Sequence, residues 1–221
     1  MTAHLILFAK NPTPGTVKTR LQTRYTPQQA AEVYRAFIQD SLESAQGLPV
    51  DRWILAYTPS DAESQIRSIA SPKWDLLPQT GSDLGERMHH AALQSFAQDA
   101  TRVVILGTDL PSLPPSYVEE ALELLRENEI VLGPTVDGGY YLVGLSNPHE
   151  SMFQGINWGT KKVFSQTLEL TKSLSLGLIP VWYDVDTPDD LDFLLAHTTA
   201  LEQAGHQPLL RHTRRLCSTY T

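Results

Sequence analysis

The chain has 221 residues, of which 41% are hydrophobic and 19% charged, as in an ordinary soluble globular protein. Its formal net charge of -8 argues against a broad nucleic-acid-binding surface but allows a small anionic ligand. The single cysteine, Cys217, excludes an internal disulfide. We expect neither a signal peptide nor a membrane helix, because the early apolar run at residues 5–9 is too short for the first and no stretch reaches roughly 20 apolar residues. We therefore expect one cytoplasmic domain over residues 1–221, with a C-terminal tail at residues 206–221.

Short apolar runs alternate with amphipathic stretches in the first half of the chain. The runs that predict strands lie at residues 4–9, 52–57 and 74–78. Thr26 and Pro27 predict the N-cap and the first residue of a helix. Ser60 and Glu63 have the spacing of a capping box, which predicts a short second helix. An apolar stripe that begins at Leu84 predicts a third helix.

The same alternation continues in the second half. The predicted strands lie at residues 102–107, 130–133, 140–145 and 176–183. Apolar stripes predict helices that include Val118 and Val163. Thr187 and Pro188 predict the start of the last helix, and Gly205 predicts its end. The arginines beyond it are interpreted as a solvated or frayed end: Arg211, Arg214 and Arg215.

This alternation predicts the fold class and the position of the site. Strands that alternate with helices form a mostly parallel central sheet covered on both faces. Ligands of such sheets bind beyond the carboxyl ends of the strands. The loops after the first, fourth and last predicted strands are therefore the places where we expect chemistry.

The loop after the first strand, residues 10–20, carries Lys10, Gly15, Lys18 and Arg20. Backbone N–H groups freed by such a turn, together with these cations, can bind phosphate. The loop is neither a Walker A motif nor a dinucleotide-binding glycine motif. An ordinary solvated loop explains it about equally well.

Aspartates follow the fourth and last strands. Asp109 stands just beyond the fourth strand, and Asp184 and Asp186 follow the last one. Carboxylate oxygens at this edge of a sheet can bind Mg²⁺ with phosphates and water. The alternative is that Asp109 belongs to an ordinary turn and that the other two complement a helix dipole.

A glycine-rich stretch around Asp137 forms another candidate site. Gly138 and Gly139 allow a sharp turn and close approach of a ligand. Asp137 would then act as a catalytic base or bind an acceptor hydroxyl. A simple hairpin turn is an equally good interpretation.

Taken together, these stretches resemble a known family. FAKNPTPGTVKTRL at residues 8–21 resembles the opening signature of bacterial glycosyltransferase-A-like proteins, often labelled radical-SAM/selenodomain-associated or arsenosugar biosynthesis glycosyltransferases. The resemblance continues in order along the chain, at residues 79–88, 107–111, 133–145 and 184–191. The proteins belong to the nucleotide-diphospho-sugar transferase superfamily and more distantly resemble 2-phospho-lactate and molybdenum-cofactor guanylyltransferases.

The resemblance implies a three-layer α/β/α sandwich and a role for each stretch. The implied nucleotide-binding residues are Lys10, Gly15, Lys18, Arg20, Gln79, Gly81, Asp83 and Arg87. Asp109 and Asp186 would bind Mg²⁺ or Mn²⁺. The implied acceptor-binding residues are Gly138, Gly139, Tyr140, Trp158 and Thr160.

Two positions depart from the family pattern. Gly107 stands where many glycosyltransferases of this fold have the first aspartate of Asp-x-Asp, and Gly159 replaces a frequent serine. The single Asp109 is more typical of nucleotidyltransferases.

Three functions stay open, all with small-molecule partners and without nucleic acid or membrane. The first, narrowly favoured, is glycosyl transfer from a nucleotide-sugar, with Asp109, Asp137 and Lys18 as catalytic residues. The alternatives are nucleotidyl transfer from a nucleoside triphosphate with release of pyrophosphate, and nucleotide binding without turnover.

Overall fold

A computed structural model describes residues 2–207 and 210–220, and these residues form a seven-stranded sheet. The strands are Ala3–Lys10 (β1), Arg52–Thr58 (β2), Asp75–Pro78 (β3), Arg102–Gly107 (β4), Ile130–Pro134 (β5), Tyr140–Leu145 (β6) and Leu176–Leu178 (β7). Their spatial order is β3-β2-β1-β4-β6-β5-β7. β6 runs antiparallel to β4 and β5, and the other neighbouring pairs are parallel. The mostly parallel sheet is therefore confirmed.

Helices cover both faces of the sheet. They are Pro27–Ala45 (α1), Glu63–Arg67 (α2), Leu84–Phe96 (α3), Pro115–Leu124 (α4), Val163–Leu170 (α5), Pro188–Gln203 (α6) and Arg211–Cys217 (α7). α3 and α5 pack on one face, and the remaining α-helices share the hydrophobic core on the other face. This arrangement confirms the three-layer α/β/α sandwich. Within the part of the chain that the structure describes, no helix is long and apolar enough to cross a membrane.

The predicted helix starts at Thr26 and Thr187 are confirmed. The hydroxyl of Thr26 accepts a hydrogen bond from the Gln29 backbone at 3.2 Å, and the Gln29 side chain accepts one from the Thr26 backbone at 2.9 Å. Thr187 and Asp190 form the same reciprocal pair at the start of α6. Each pair satisfies two backbone N–H groups that the first helical turn leaves without partners.

Two predicted element boundaries are wrong. Ser60 does not cap α2, because the helix begins two residues later and Ala62, which lacks a side-chain acceptor, takes the N-cap position. The last strand ends at Leu178 rather than extending to residue 183. Pro180 has no N–H to continue the ladder, and the chain rejoins the sheet through a bridge between Trp182 and Thr135.

The prediction of a frayed C-terminus is also wrong for α7. The carboxylate of Asp40, buried in α1, accepts hydrogen bonds from the backbone N–H groups of His212 at 2.8 Å and Thr213 at 2.9 Å. It also accepts one from the Thr213 hydroxyl at 2.6 Å. A buried carboxylate thus caps the first turn of α7 and holds this helix against α1.

Candidate active site

The loops that follow β1, β3, β4, β5 and β7 meet at one edge of the sheet, as expected for parallel strands. They surround a cavity of about 900 Å³. Twelve of the residues proposed from the sequence line it: Lys10, Lys18, Arg20, Gln79, Arg87, Asp109, Asp137, Gly139, Tyr140, Trp158, Thr160 and Asp186.

Lys18 links three of these loops. Its ammonium nitrogen lies 2.5 Å from Asp109 Oδ1 and 2.9 Å from Asp186 Oδ1, and it donates a hydrogen bond to the Val185 carbonyl at 2.7 Å. The lysine side chain is only 4% exposed, whereas the Asp109 and Asp186 side chains are 46% and 40% exposed. The backbone of Lys18 has a φ of 45°, which is unusual for a residue other than glycine. Two carboxylates at the mouth of the cavity therefore converge on one buried cation.

The surroundings of Lys18 keep it charged. Burial by itself would lower the pKa of Lys18, but the charges of Asp109 and Asp186 outweigh burial and hold it above its usual value. The rings of Tyr34 and Phe37 lie below the ammonium group, each with its centroid 5.7 Å away. These contacts make Lys18 a fixed positive charge in the cavity wall.

Arginines of the same loop extend this ionic contact to α6. Arg20 Nη1 lies 3.1 Å from Asp186 Oδ2. Arg24 pairs with Asp189 at 3.0 Å and with Asp192 at 2.6 Å. The segment after β1 is therefore tied to the start of α6 by charge pairs on the exposed side of the cavity.

Asp184 is a cavity residue that the sequence analysis considered but did not assign to the metal. Its Oδ1 is buried and has no hydrogen-bond partner among the described residues. Burial, followed by repulsion from Asp109, Asp137 and Asp186, raises the pKa of Asp184 to about 7. Such a carboxyl group can accept a cation or share a proton with a ligand.

The loop after β3 is held in place mainly by its own side chains. Gln79 Nε2 donates to the carbonyls of Ala9 at 3.3 Å and Ala56 at 2.8 Å. Arg87 Nε donates to the Gly81 carbonyl at 3.1 Å. These bonds position the loop beside the end of β1, where Gln79 and Arg87 line the cavity.

Asp137 lies in a tight turn between β5 and β6. Its Oδ1 accepts hydrogen bonds from the Thr135 hydroxyl and from the Gly139 backbone at 3.1 Å. Gly138 has a φ of 94°, and a Cβ there would lie 2.3 Å from the Lys161 carbonyl oxygen. The turn is thus in direct backbone contact with the loop before α5, and only glycine fits at this contact.

Aromatic rings form the adjoining wall. The rings of Tyr140 and Trp158 meet edge to face with centroids 6.3 Å apart. Trp158 also packs on the first turn of α3, where a Cβ at Gly85 would lie 2.7 Å from its ring. The Thr160 hydroxyl donates a hydrogen bond to the Asn157 carbonyl at 2.7 Å, which fixes the loop that carries Trp158 and Thr160.

Four proposed site residues lie outside the cavity wall: Gly15, Gly81, Asp83 and Gly138. Gly15 and Gly81 have positive φ values in their turns. Asp83 caps α3 by accepting from the Glu86 backbone at 2.9 Å. These residues shape the loops around the cavity.

Conversely, Tyr34 and Lys161 line the cavity and were not proposed, because an apolar helix stripe and a loop lysine carry no distinctive sequence signal.

Within residues 2–207 and 210–220, one group of three potential metal ligands has all its ligand atoms within 4.8 Å of one another, Asp40, Glu43 and His212. The Asp40 carboxylate already caps α7, and none of the three lines the cavity. This group fastens the C-terminal helix.

Comparison with known proteins identifies the family. The model of the family of uncharacterized proteins conserved in bacteria, DUF2064, matches residues 41–160, more than half of the chain. The chain belongs to the DUF2064 family. The crystal structure of a candidate nucleotide-diphospho-sugar transferase from Desulfovibrio desulfuricans G20 is 34% identical, covers 100% of this chain and 99% of its own, and has a TM-score of 0.87.

Guanylyltransferases are among the relatives of this DUF2064 protein. Phosphoenolpyruvate guanylyltransferase of Mycolicibacterium vanbaalenii is 28% identical over 85% of this chain and 86% of its own length. 2-Phospho-L-lactate guanylyltransferase of Methanocaldococcus jannaschii is 22% identical over 83% and 79%. The chain is thus a transferase of the nucleotidyltransferase-like type. The relatives fit nucleotidyl transfer better than glycosyl transfer, the function that the sequence narrowly favoured.

Proposed function

We propose that this protein is a metal-dependent nucleotidyltransferase, which transfers a nucleoside monophosphate from a nucleoside triphosphate to a small phosphorylated acceptor. The observation that carries the proposal is the convergence of Lys18, Asp109 and Asp186 at the carboxyl edge of the sheet. A single aspartate after β4, rather than Asp-x-Asp, agrees with this chemistry. The guanylyltransferase relatives make GTP the first donor to test and phosphoenolpyruvate the first acceptor.

The carboxylates of this site fit a divalent metal. Asp109 and Asp186 already direct oxygens at one cation, the ammonium of Lys18, and both line the cavity. Mg²⁺ is typically held by one or two carboxylates together with substrate phosphates. We assign Asp109 and Asp186 as its ligands, with the unpartnered oxygen of Asp184 in support. When bound, Mg²⁺ or Mn²⁺ supplies positive charge to the triphosphate.

We assign the residues of the site to separate roles in an in-line transfer. An oxygen of the acceptor phosphate attacks the α-phosphorus; its new O–P bond forms as the bond to the β-phosphate oxygen breaks, and pyrophosphate leaves. Lys18 and Arg20 stabilise negative charge on the triphosphate. The attacking oxygen is already anionic, so no protein base is needed. Asp137 therefore positions the acceptor in this proposal instead of removing a proton.

The two ends of the cavity bind different substrates. Lys10, Gln79 and Arg87 lie beside the ends of β1 and β3, and we assign them to the nucleotide. The acceptor faces the turn and loop on the other side, which contribute Gly139, Tyr140, Trp158 and Thr160.

The proposal is tested by incubating the protein with GTP, ATP, CTP or UTP, phosphoenolpyruvate and either Mg²⁺ or Mn²⁺. Mass spectrometry detects the diphosphate-linked product, and a coupled assay detects pyrophosphate. We expect turnover with one triphosphate, its loss in Asp109→Asn, and no change in Asp61→Asn, an exposed carboxylate outside the cavity wall. Turnover of a nucleotide-sugar without turnover of any triphosphate would favour glycosyl transfer. Nucleotide binding without turnover across a wide acceptor panel would favour a binding protein.

A further inference from the structure

The cation held between Asp109 and Asp186 is the side-chain ammonium group of Lys18. The two oxygens nearest the ammonium of Lys18, Asp109 Oδ1 and Asp186 Oδ1, belong to the two carboxylates that would hold the metal. Asp186 Oδ2 is paired as well, with Arg20 Nη1 at 3.1 Å. The positive side chains of Lys18 and Arg20 therefore offset the charge of the two proposed metal ligands, which weakens their attraction for a free divalent cation.

Lys18 cannot leave this position without a replacement partner. Its side chain is 4% exposed, and apart from the two carboxylates it contacts the Val185 carbonyl and two aromatic rings. A buried ammonium group that loses its carboxylates pays a large desolvation penalty. A metal that binds without nucleotide would have to displace Lys18, and its binding free energy would have to offset this desolvation penalty in full.

A nucleoside triphosphate removes that obstacle. Its phosphate oxygens provide new anionic partners for Lys18 and Arg20, and the carboxylates are then released to the metal. We propose that Lys18 occupies the position of the metal between Asp109 and Asp186 until a triphosphate binds, so that the metal enters with the nucleotide and not before it. This inference rests on the proposed function, because it requires the same two carboxylates to be the metal ligands.

The exchange makes metal and nucleotide binding strongly cooperative. By thermodynamic linkage, each ligand must raise the affinity for the other by the same factor. Removing the ammonium group frees the carboxylates in advance, so the metal should bind alone. The cooperativity should shrink accordingly.

Equilibrium dialysis of Mn²⁺ measures this directly, because free Mn²⁺ and its GTP complex equalise across the membrane and only protein-bound metal remains in excess. We expect the wild-type protein to bind Mn²⁺ alone about tenfold or more weakly than in the presence of GTP. Lys18→Met and Lys18→Gln should bind Mn²⁺ alone about tenfold more tightly than the wild type. Circular dichroism and thermal melting establish that both variants are folded.

Lys10→Met is the matched control, since it removes one positive charge from the same cavity without vacating the contact between Asp109 and Asp186. It should bind Mn²⁺ alone as weakly as the wild type. Equal enhancement in Lys10→Met and Lys18→Met would overturn the inference, because general charge removal would explain both. Tight binding of Mn²⁺ to the wild type without GTP would overturn it as well, even if no Lys18 variant folds.

Two further outcomes separate this inference from the proposed function. If the wild type binds Mn²⁺ only with GTP but the Lys18 variants still bind none alone, Lys18 does not prevent metal binding. The inference is then wrong, and the proposed metal-dependent transfer is retained. If no protein binds Mn²⁺ even with GTP, the metal site of the proposed function is wrong, and the inference fails with it.

Discussion

At one end of the cavity, Lys18 and Arg20 are tied to Asp109 and Asp186 by charge. At the other end, the turn at residues 135–139 and the loop at 157–162 are fixed by backbone contact and aromatic packing. We call these the ionic end and the packed end. Charge pairs can exchange partners when a charged ligand arrives, whereas a close backbone contact cannot rearrange without local unfolding. Under the proposed function, this difference gives the enzyme an adaptable donor site and a rigid acceptor site.

The strongest test of the ionic end is Asp109→Asn. The substitution removes the closest carboxylate partner of Lys18 and one proposed metal ligand. We expect kcat with GTP and phosphoenolpyruvate to fall about 10²–10³-fold, the typical effect of losing one group that stabilises transition-state charge. Steady-state kinetics measure it, and a loss smaller than about tenfold would remove Asp109 from the proposed machinery.

Asp184 provides a test of the ionic end that depends on pH. Because its folded-state pKa is raised to about 7, the folded protein binds this proton more tightly than the unfolded chain does. The stabilising effect is complete below the unfolded value near 4 and is lost as the pH rises to about 7. The free energy of unfolding should therefore fall over this range, by on the order of 2–4 kcal/mol.

Urea denaturation of the metal-free protein at several pH values measures this dependence. Asp184→Asn has no carboxyl proton to lose, so the pH dependence of its free energy of unfolding should lack the contribution of this group. Identical pH dependence in the variant and the wild type would show that Asp184 does not titrate in this way.

Gly138→Ala tests the packed end. The new Cβ would meet the Lys161 carbonyl at 2.3 Å, and the residue would also keep a φ of 94°. Gly155→Ala is the matched control, because Gly155 has a φ of 71° and no atom within 4 Å of the added carbon. We expect Gly138→Ala to cost about 1–3 kcal/mol more than the control in urea denaturation.

The same variant separates the two substrates. Displacing the turn should raise KM for the acceptor while leaving KM for the triphosphate nearly unchanged. Equal increases in both would mean that the packed end is not specific to the acceptor.

The smallest effect is expected for Ser112→Ala. The Ser112 hydroxyl donates to Tyr183 Oη at 3.3 Å and accepts from Trp182 Nε1 at 3.4 Å, which links the loop after β4 to the segment before Asp184. Both bonds are long, so we expect a loss of about 0.5–1.5 kcal/mol in thermal or chemical denaturation. A larger loss would show that this link, besides the charge pairs, holds the ionic end together.

The sequence predicted most of the fold because its signals are local. Thr26 and Thr187 are caps whose partners lie three residues away, and the buried runs of β1 and β4 are continuous. The predictions that were wrong depend on residues distant in sequence. Pro180 ends a strand only where the neighbouring strand needs its N–H. Asp40 caps α7, a helix that lies far along the chain.

The candidate site shows the same division. The loops could be located because parallel strands end at one edge of the sheet. The contact between Lys18 and Asp186 spans most of the chain, so no local pattern reveals it. The burial of Asp184 and the contact of Gly138 with Lys161 depend likewise on tertiary packing.

The reversal of β6 has an evolutionary consequence. Because β5 and β6 form a hairpin inserted between β4 and β7, a single contiguous stretch from the hairpin turn to the start of α5 supplies the whole packed end. Segments from three separate parts of the sequence build the ionic end. Under the proposed function, recombination or insertion within that stretch would change the acceptor and leave the residues assigned to the donor in place. One ancestor could found enzymes with different acceptors by this route.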